Sequence, residues 1–163
     1  MKKLHFIYVL LGLLLQSCWY SFTGVSIPNE LKTLKIENFT NTSELVVPAF
    51  SQIFSQKLRD KFLSQSSLKQ IDGQADLIIK GNITGYQIMP IALQGNDRAA
   101  QNRLTVSIEF QLISNKFEEF NKVYNVSNFV DFTTAYSSAE NQLIQEISEK
   151  LSQDIFNKTF SNW

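Results

Sequence analysis

The sequence predicts an α+β domain in which two amphipathic helices pack on one face of a mainly antiparallel four-stranded sheet. Three observations predict it. Apolar residues recur at spacings of three and four over 48–65 and again over 137–157, the period of a helix with one apolar stripe. They alternate with polar residues over 31–39, 76–89, 103–112 and 122–132, the period of a strand with one buried face. The last two strands are separated only by a charged turn, which makes them an antiparallel hairpin. Two stripes and one apolar face are buried together when both helices lie on the same side of the sheet. An arrangement completed by a partner chain laid on the polar sheet face is the alternative.

The chain opens with Lys2 and Lys3, then an apolar run from Leu4 to Leu15 broken by His5 and Gly12, then the small residue Ser17 before Cys18. A charged region, a short apolar region and a small residue at the cut are the layout of an export signal. The run is shorter than the roughly 20 residues that cross a bilayer. Leu15-Gln16-Ser17-Cys18 resembles the bacterial lipobox, in which the cysteine is acylated and the chain is cut before it, although Gln16 stands where that pattern has a small residue. Residues 1–17 are therefore expected to be a lipoprotein signal peptide and Cys18 a lipidated anchor; a plain secreted chain with a free Cys18 thiol is the alternative. Residues 18–30 form a short lead rich in aromatics (Trp19, Tyr20, Phe22), suited either to the headgroup layer or to packing on the domain. Residues 31–163 form a single domain.

Within that domain Leu31 to Phe39 reads as a first strand, with Leu34 and Ile36 opposed to Lys35 and Glu37. A polar turn over 38–43 follows, and Pro48 stands where a helix can start. Phe50, Ile53, Phe54, Leu58 and Phe62 make the stripe of the first helix, 48–65. Its polar side carries Lys57, Arg59 and Lys61, which invite an anion-site reading but with Asp60 between them read first as a solvated helix face. A brief strand over 67–72 ends at the turn residues Asp72 and Gly73. In the next strand, 76–89, Leu77, Ile79, Gly81 and Ile83 alternate with Ile78, Lys80, Asn82 and Thr84. Gly81 and Gly85 are expected on one face, where missing side chains leave room for a crossing element, and Pro90 is expected to close the strand. A polar connection over 93–103 leads to the clearest alternation, with Leu104, Val106, Ile108, Phe110 and Leu112 inward. After the turn at 115–121 comes the strand 122–132. The last helix begins at Ser137, whose spacing to Glu140 is that of a capping box, and runs to about Asn157. Trp163 adds a last aromatic beyond Phe156 and Phe160.

Composition narrows the function. Without residues 1–17 the chain has 146 residues, an ordinary single-domain size, and 13 basic against 15 acidic residues, a net charge of −2. Such a balance invites neither nucleic acid nor an anionic surface. The one histidine, His5, leaves with the signal, and an acylated Cys18 has no thiol. Ser-His-Asp and Cys-His catalysis and histidine or cysteine metal sites are thereby excluded. No phosphate loop, dinucleotide fingerprint or calcium loop is present, and Gly81 to Gly85 lies inside a strand with no helix after it to receive a phosphate. No catalytic residue, metal or cofactor is expected. A carboxylate hydrolase would need a pair of acidic residues that the sequence does not mark out. The sequons at Asn38, Asn41, Asn82, Asn125 and Asn157 matter only in a eukaryotic secretory path.

Five pieces, in order, carry a resemblance: Cys18 and Tyr20 to Gly24 with Ser26 to Pro28; Phe50 to Phe54 with Leu58 to Phe62; Gly81 to Tyr86; Ala99 to Thr105; and Asp154 to Asn157 with Asn162 and Trp163. Together they resemble the lipopolysaccharide-assembly lipoprotein of the Bacteroidetes type, over essentially the whole mature chain. The resemblance implies two helices on a four-stranded sheet and a non-enzymatic lipoprotein held in the outer membrane from the periplasmic side. There it implies a partner that plugs a β-barrel translocon and assists lipopolysaccharide transport. A wet barrel lumen suits a polar sheet face and near-neutral charge. Arg98, Asn102 and Arg103 are the residues expected to touch barrel wall or lipid phosphate, since a guanidinium pairs bidentately with phosphate; the plainer roles are that Arg103 ends a strand and Arg98 caps a loop. A periplasmic lipoprotein that binds a lipid or glycan under its helices, independent of any barrel, is the other reading. Trp19 and Tyr20 stand where lipoproteins of this group carry an acidic run resembling a surface-display signal, so the domain is expected to face the periplasm.

Overall fold

The computed structural model describes residues 28–91 and 101–160. The expected signal 1–17, Cys18, the lead to Ile27, Arg98 and Trp163 lie outside the described residues. Strands β1 (Thr33–Ile36) and β2 (Thr40–Asn41) precede helix α1 (Pro48–Gln65); β3 (Lys69–Gln70), β4 (Leu77–Ile91), β5 (Gln101–Ser114), a 3-10 turn (Glu118–Phe120), β6 (Lys122–Phe132) and helix α2 (Tyr136–Phe160) follow.

The class is α+β as expected, but the sheet has six strands, ordered β3-β1-β4-β5-β6 with β2 also on β4. It is mixed. The β4–β5 and β5–β6 ladders are antiparallel, whereas β1, β2 and β3 all pair in parallel. The expected first strand is divided because Phe39 leaves the sheet: its N–H donates to Ser55 Oγ at 3.1 Å and its carbonyl accepts from Ser51 Oγ. Two α1 hydroxyls thus satisfy the backbone groups that a continuous strand would have paired.

Phe39 can turn inward because Gly81 has no side chain. A Cβ there would meet the Glu109 carbonyl, Phe39 Cε1 at 2.6 Å and Phe110 Cα at 2.9 Å. Gly85 does not share that face. The register shifts between Ile83 and Gly85, so the extra residue Thr84 forms a bulge and Gly85 faces Ser107 on the outer side. Nor does Pro90 close the strand, since pairing continues through Pro90↔Asn102 and Ile91↔Gln101.

The core lies between the helices and the inner sheet face. Leu77, Ile79, Ile83 and Tyr86 of β4, Leu104 to Leu112 at alternate positions of β5, and Val126, Val130 and Phe132 of β6 are all buried. Against them α1 sets Phe50, Phe54, Leu58 and Phe62, and α2 sets Leu143, Ile144, Ile147, Leu151 and Ile155. Each such side chain contributes roughly 1.5–3 kcal/mol by leaving water. Phe62 closes the seam between the helices, edge-on to Phe156 at 5.1 Å and 5.6 Å from Phe160. Here α2 runs one turn beyond the expected Asn157. Its start also differs: Ser137 lies within the helix, and Glu140 accepts from the Tyr136 hydroxyl at 3.2 Å instead of closing a capping box.

Candidate interaction surface

Among the described residues the helices cover the inner sheet face and no element covers the outer one. Register sorts that face into rows: Lys80, Gln111 and Val123; Asn82, Glu109 and Asn125; Gly85, Ser107 and Ser127; Gln87, Thr105 and Phe129; Met89, Arg103 and Asp131. Its charges balance, with Lys80 and Arg103 against Glu109 and Asp131. The middle is short and polar, tied by Ser107 Oγ to Ser127 Oγ at 3.0 Å and by Thr84 Oγ1 donating to the Ser107 carbonyl at 3.2 Å.

The most organised part is the row that ends at Arg103. Its Nε and Nη2 donate to Asp131 Oδ1 and Oδ2 at 2.7 and 2.9 Å. The guanidinium lies 3.7 Å from the Phe129 ring centroid, a cation–π stack. Arg103 beside it holds the Asp131 carboxyl below its usual range, because the ionised form is the one that accepts both bonds. Two bonds and a stack fix an otherwise flexible side chain, and Phe129 and Met89 stay about half exposed around it, at 44% and 54%. Arginine, aromatic and methionine side chains in one rigid patch are the composition of an interface centre.

Of the three residues expected to act together, Arg98 lies outside the described residues, and Asn102 and Arg103 alternate to opposite faces. Asn102 pairs with Phe132 on the inner side. The Lys57, Arg59 and Lys61 cluster is also dispersed. Lys61 binds Glu149 at 2.6 Å and Gln153 at 2.9 Å on α2, and Arg59 donates to Asn38 Oδ1 at 3.1 Å on the other side of α1. Phe129, Met89 and Asp131 were not singled out from the sequence. Hairpin logic comes close to Asp131, but folding the hairpin symmetrically about 115–121 sets Arg103 against Thr133, whereas the observed ladder is centred on Phe117 and sets it against Asp131.

Two concavities open on the surface. One, about 320 Å³, sits on the outer face where the chain leaves β1, lined by Glu37, Asn38, Lys80, Asn82, Glu109 and Gln111 among others. The other is a shallow depression along α1 around Gln56, Arg59 and Gln145. Neither lies beneath the helices. At the opposite end of the sheet from Arg103, Asp76 accepts from Lys32 N–H and Thr33 N–H at 2.8 and 3.0 Å and pairs with Lys116 at 2.7 Å. Lys116 also donates to the Glu30 carbonyl at 2.7 Å, so this clasp fixes the point where the described chain begins. The Lys116 ammonium holds the Asp76 carboxyl well below the usual carboxylate range. Inside the domain, burial pushes the Tyr86 phenol far up, its hydroxyl 2.9 Å from that of Tyr136. Among the described residues no group of His, Cys, Asp or Glu is arranged to hold a metal ion, and no helix is long and apolar enough to cross a membrane.

The family model described as lipopolysaccharide-assembly matches residues 31–159. No curated protein matches the chain by sequence. Solved structures with a similar fold include a minor lipoprotein from Acinetobacter baumannii, 12% identical over 81% of this chain and 92% of that one, with a TM-score of 0.53. The rare lipoprotein B from Shewanella oneidensis is 13% identical over 78% of this chain and 92% of that one, TM-score 0.52. A neuraminyllactose-binding hemagglutinin homolog from Helicobacter pylori is 12% identical over 83% of this chain and 87% of that one, TM-score 0.52. At these identities the likeness is one of fold.

Proposed function

From the premise that this chain belongs to the LptE lipopolysaccharide-assembly family, we propose that it is a non-enzymatic lipoprotein, anchored through acylated Cys18 in the outer membrane and facing the periplasm, that partners and plugs a β-barrel translocon. The observation that carries this reading is the outer sheet face. It is mainly polar, charge-balanced and uncovered among the described residues, and it ends in the Arg103–Asp131–Phe129 patch. A barrel lumen is wet and polar, so a plug needs a surface that tolerates water yet presents an anchoring group. A charge-balanced face avoids the repulsion that a single-sign face would meet in a mixed wall. Arg103 is the contact on that face; Nη1 is the guanidinium nitrogen that Asp131 does not engage, and it points the patch toward a carboxylate or phosphate oxygen. Asn102, next to Arg103 in β5, remains a candidate contact, as does Arg98, which lies outside the described residues.

Depleting the protein tests this role: surface lipopolysaccharide and the level of folded barrel should both fall. Normal levels of both would sink it. The other reading, a lipid or glycan held under the helices independently of a barrel, has neither of the two concavities in that place; the outer-face concavity lined by Lys80, Asn82, Glu109 and Gln111 offers carboxylate and amide groups that match sugar hydroxyls. That reading expects purification as a free monomer.

A further inference from the structure

The concavity on the outer face exists because β1 and β2 leave a gap beside β4. The β1 ladder ends at Ile36↔Ile79 and the β2 ladder begins at Thr40↔Asn82. Between them Phe39 turns inward and gives its N–H and carbonyl to the α1 serines, so the gap opens over Gly81. The carbonyls of Ile79 and Ile83 accept from Glu37 and Thr42 on this side, and alternation along the strand turns the Gly81 N–H the same way. Among the described residues no group accepts from it. The floor of the hollow therefore offers a main-chain donor, and the residue that carries it has no side chain to screen it.

Around that donor stand polar side chains that the domain leaves unengaged. Lys80 and Gln111 lie on one side of Gly81, and Asn82 and Glu109 on the other. Among the described residues none of the four makes a side-chain hydrogen bond or an ion pair. Elsewhere on the same face such groups bond one another, as Ser107 does with Ser127 and Arg103 with Asp131. The rim is held in place. Asn38 Oδ1 accepts from Arg59 at 3.1 Å, which leaves the Asn38 Nδ2 as a donor, and Lys35 pairs with Glu37 at 3.3 Å. Val123, 57% exposed, adds methyl groups to one wall.

We propose that this concavity binds an uncharged sugar ring through adjacent hydroxyls. Its volume, about 320 Å³, lies at the low end of the range for small-molecule sites. Each sugar hydroxyl both donates and accepts, and the lining answers both needs: Glu37 and Glu109 accept, Lys80 and the Gly81 N–H donate, and the amides of Asn82 and Gln111 do either. One carboxylate takes two neighbouring hydroxyls in a pair of charge-assisted bonds. Val123 meets the C–H face of the ring. Two carboxylates against one ammonium in the lining oppose a phosphate or an acidic sugar, which separates this site from the Arg103 patch on the same face. The proposal takes up the glycan of the second reading, on the outer face instead of under the helices, and does not depend on whether a barrel is bound.

The test titrates the methyl glycosides of glucose, galactose, mannose and N-acetylglucosamine into the full-length lipidated chain, held in a detergent without a sugar headgroup, and reads backbone amide shifts. Saturable shifts should appear at Lys80 to Asn82 and at Glu109 to Gln111 with a Kd on the order of 1 mM, the strength expected of so small a ligand. Glu109→Ala and Asn82→Ala, both at exposed positions, should each weaken binding at least about fivefold, whereas Ser127→Ala, on the same face outside the hollow, should stay within about twofold. Glucose 1-phosphate should bind more weakly than methyl glucoside. Maltose binding at least as tightly as the glucoside marks a ring within a glycan chain as the ligand, and its exclusion marks a free sugar; either supports the site. Four results would overturn the proposal: no saturable shift with any glycoside up to about 100 mM; saturable shifts confined to other parts of the domain; tighter binding of the phosphate, which makes this an anion site; or unchanged binding by folded Glu109→Ala and Asn82→Ala. Sugar binding by a chain that purifies free of any barrel would leave the site standing and remove the plug reading, and a barrel complex without sugar binding would do the reverse.

Discussion

At the residue scale three positions, two of them side chains and one a glycine, determine what the surroundings can do. Asp76 is the one whose ionisation matters most to stability. Its carboxyl is depressed below the usual range by Lys116 and by the Lys32 N–H. A group with a depressed folded-state pKa stabilises fully above its unfolded value, about 3.9, and loses that contribution as pH falls through the folded-state value. Asp76→Ala should therefore melt below the parent at neutral pH, and thermal melts should show the difference shrinking as pH drops below about 4. Gly81 is fixed by space. Gly81→Ala puts a methyl against Phe39 and the Glu109 carbonyl, neither of which can yield without moving core or ladder, and should cost about 1–3 kcal/mol in denaturant unfolding. Arg103 is different in kind. Its ion pair with Asp131 is partly exposed, and such pairs contribute little to folding, so Arg103→Ala should leave the melting temperature within a degree or two while weakening partner recovery. Arg103→Lys should not restore it, because lysine lacks the planar fork that binds Asp131 and stacks on Phe129.

At the scale of elements, the parts read correctly from sequence are those whose signal is periodic and long. The stripe Phe50 to Phe62, the stripe Leu143 to Ile155 and the alternation Leu104 to Leu112 each have one solution, and the structure adopts it. The missed parts depend on partners distant in sequence. Alternation over 31–39 could not show that Ser51 and Ser55, on a helix not yet formed, would take the Phe39 backbone and divide the strand. Nor could it show that Thr84 is an extra residue, which sends Gly85 to the outer face. A proline ends a ladder only when its nitrogen faces the neighbouring strand, and that of Pro90 faces away from β5. For the candidate surface, Arg103 is legible as an outward residue on a clear strand, but Asp131 and Phe129 require the β5–β6 register, which is centred one residue before the middle of the 115–121 turn. The α1–α2 seam carries its own expectation. Ser148 and Ser152 are buried with hydroxyls that find no partner among the described residues. An unmet buried hydroxyl destabilises, so Ser148→Ala and Ser152→Ala should each unfold at equal or higher denaturant than the parent, with gains up to about 1 kcal/mol.

At the scale of the whole molecule, the two ends of the sheet have different tasks. The clasp of Asp76, Lys116 and Glu30 fixes the end where the lead toward Cys18 joins. Met89, Arg103 and Asp131 mark the other end, twelve β4 residues from Leu77 and so about 40 Å away. In the proposed role, a lipid at Cys18 on a lead of at most about 35 Å would keep the first end close to the bilayer and let the Arg103 end project into a partner. Among the described residues one sheet face is packed by helices and the other is left open, the arrangement the proposed role uses. The most direct measurement is purification of the lipidated chain from membranes in mild detergent, beside its Arg103→Ala variant. The account predicts a stable complex of the parent with a large β-barrel and a several-fold poorer yield of that complex with the variant. Recovery of the parent as a free monomer would contradict it.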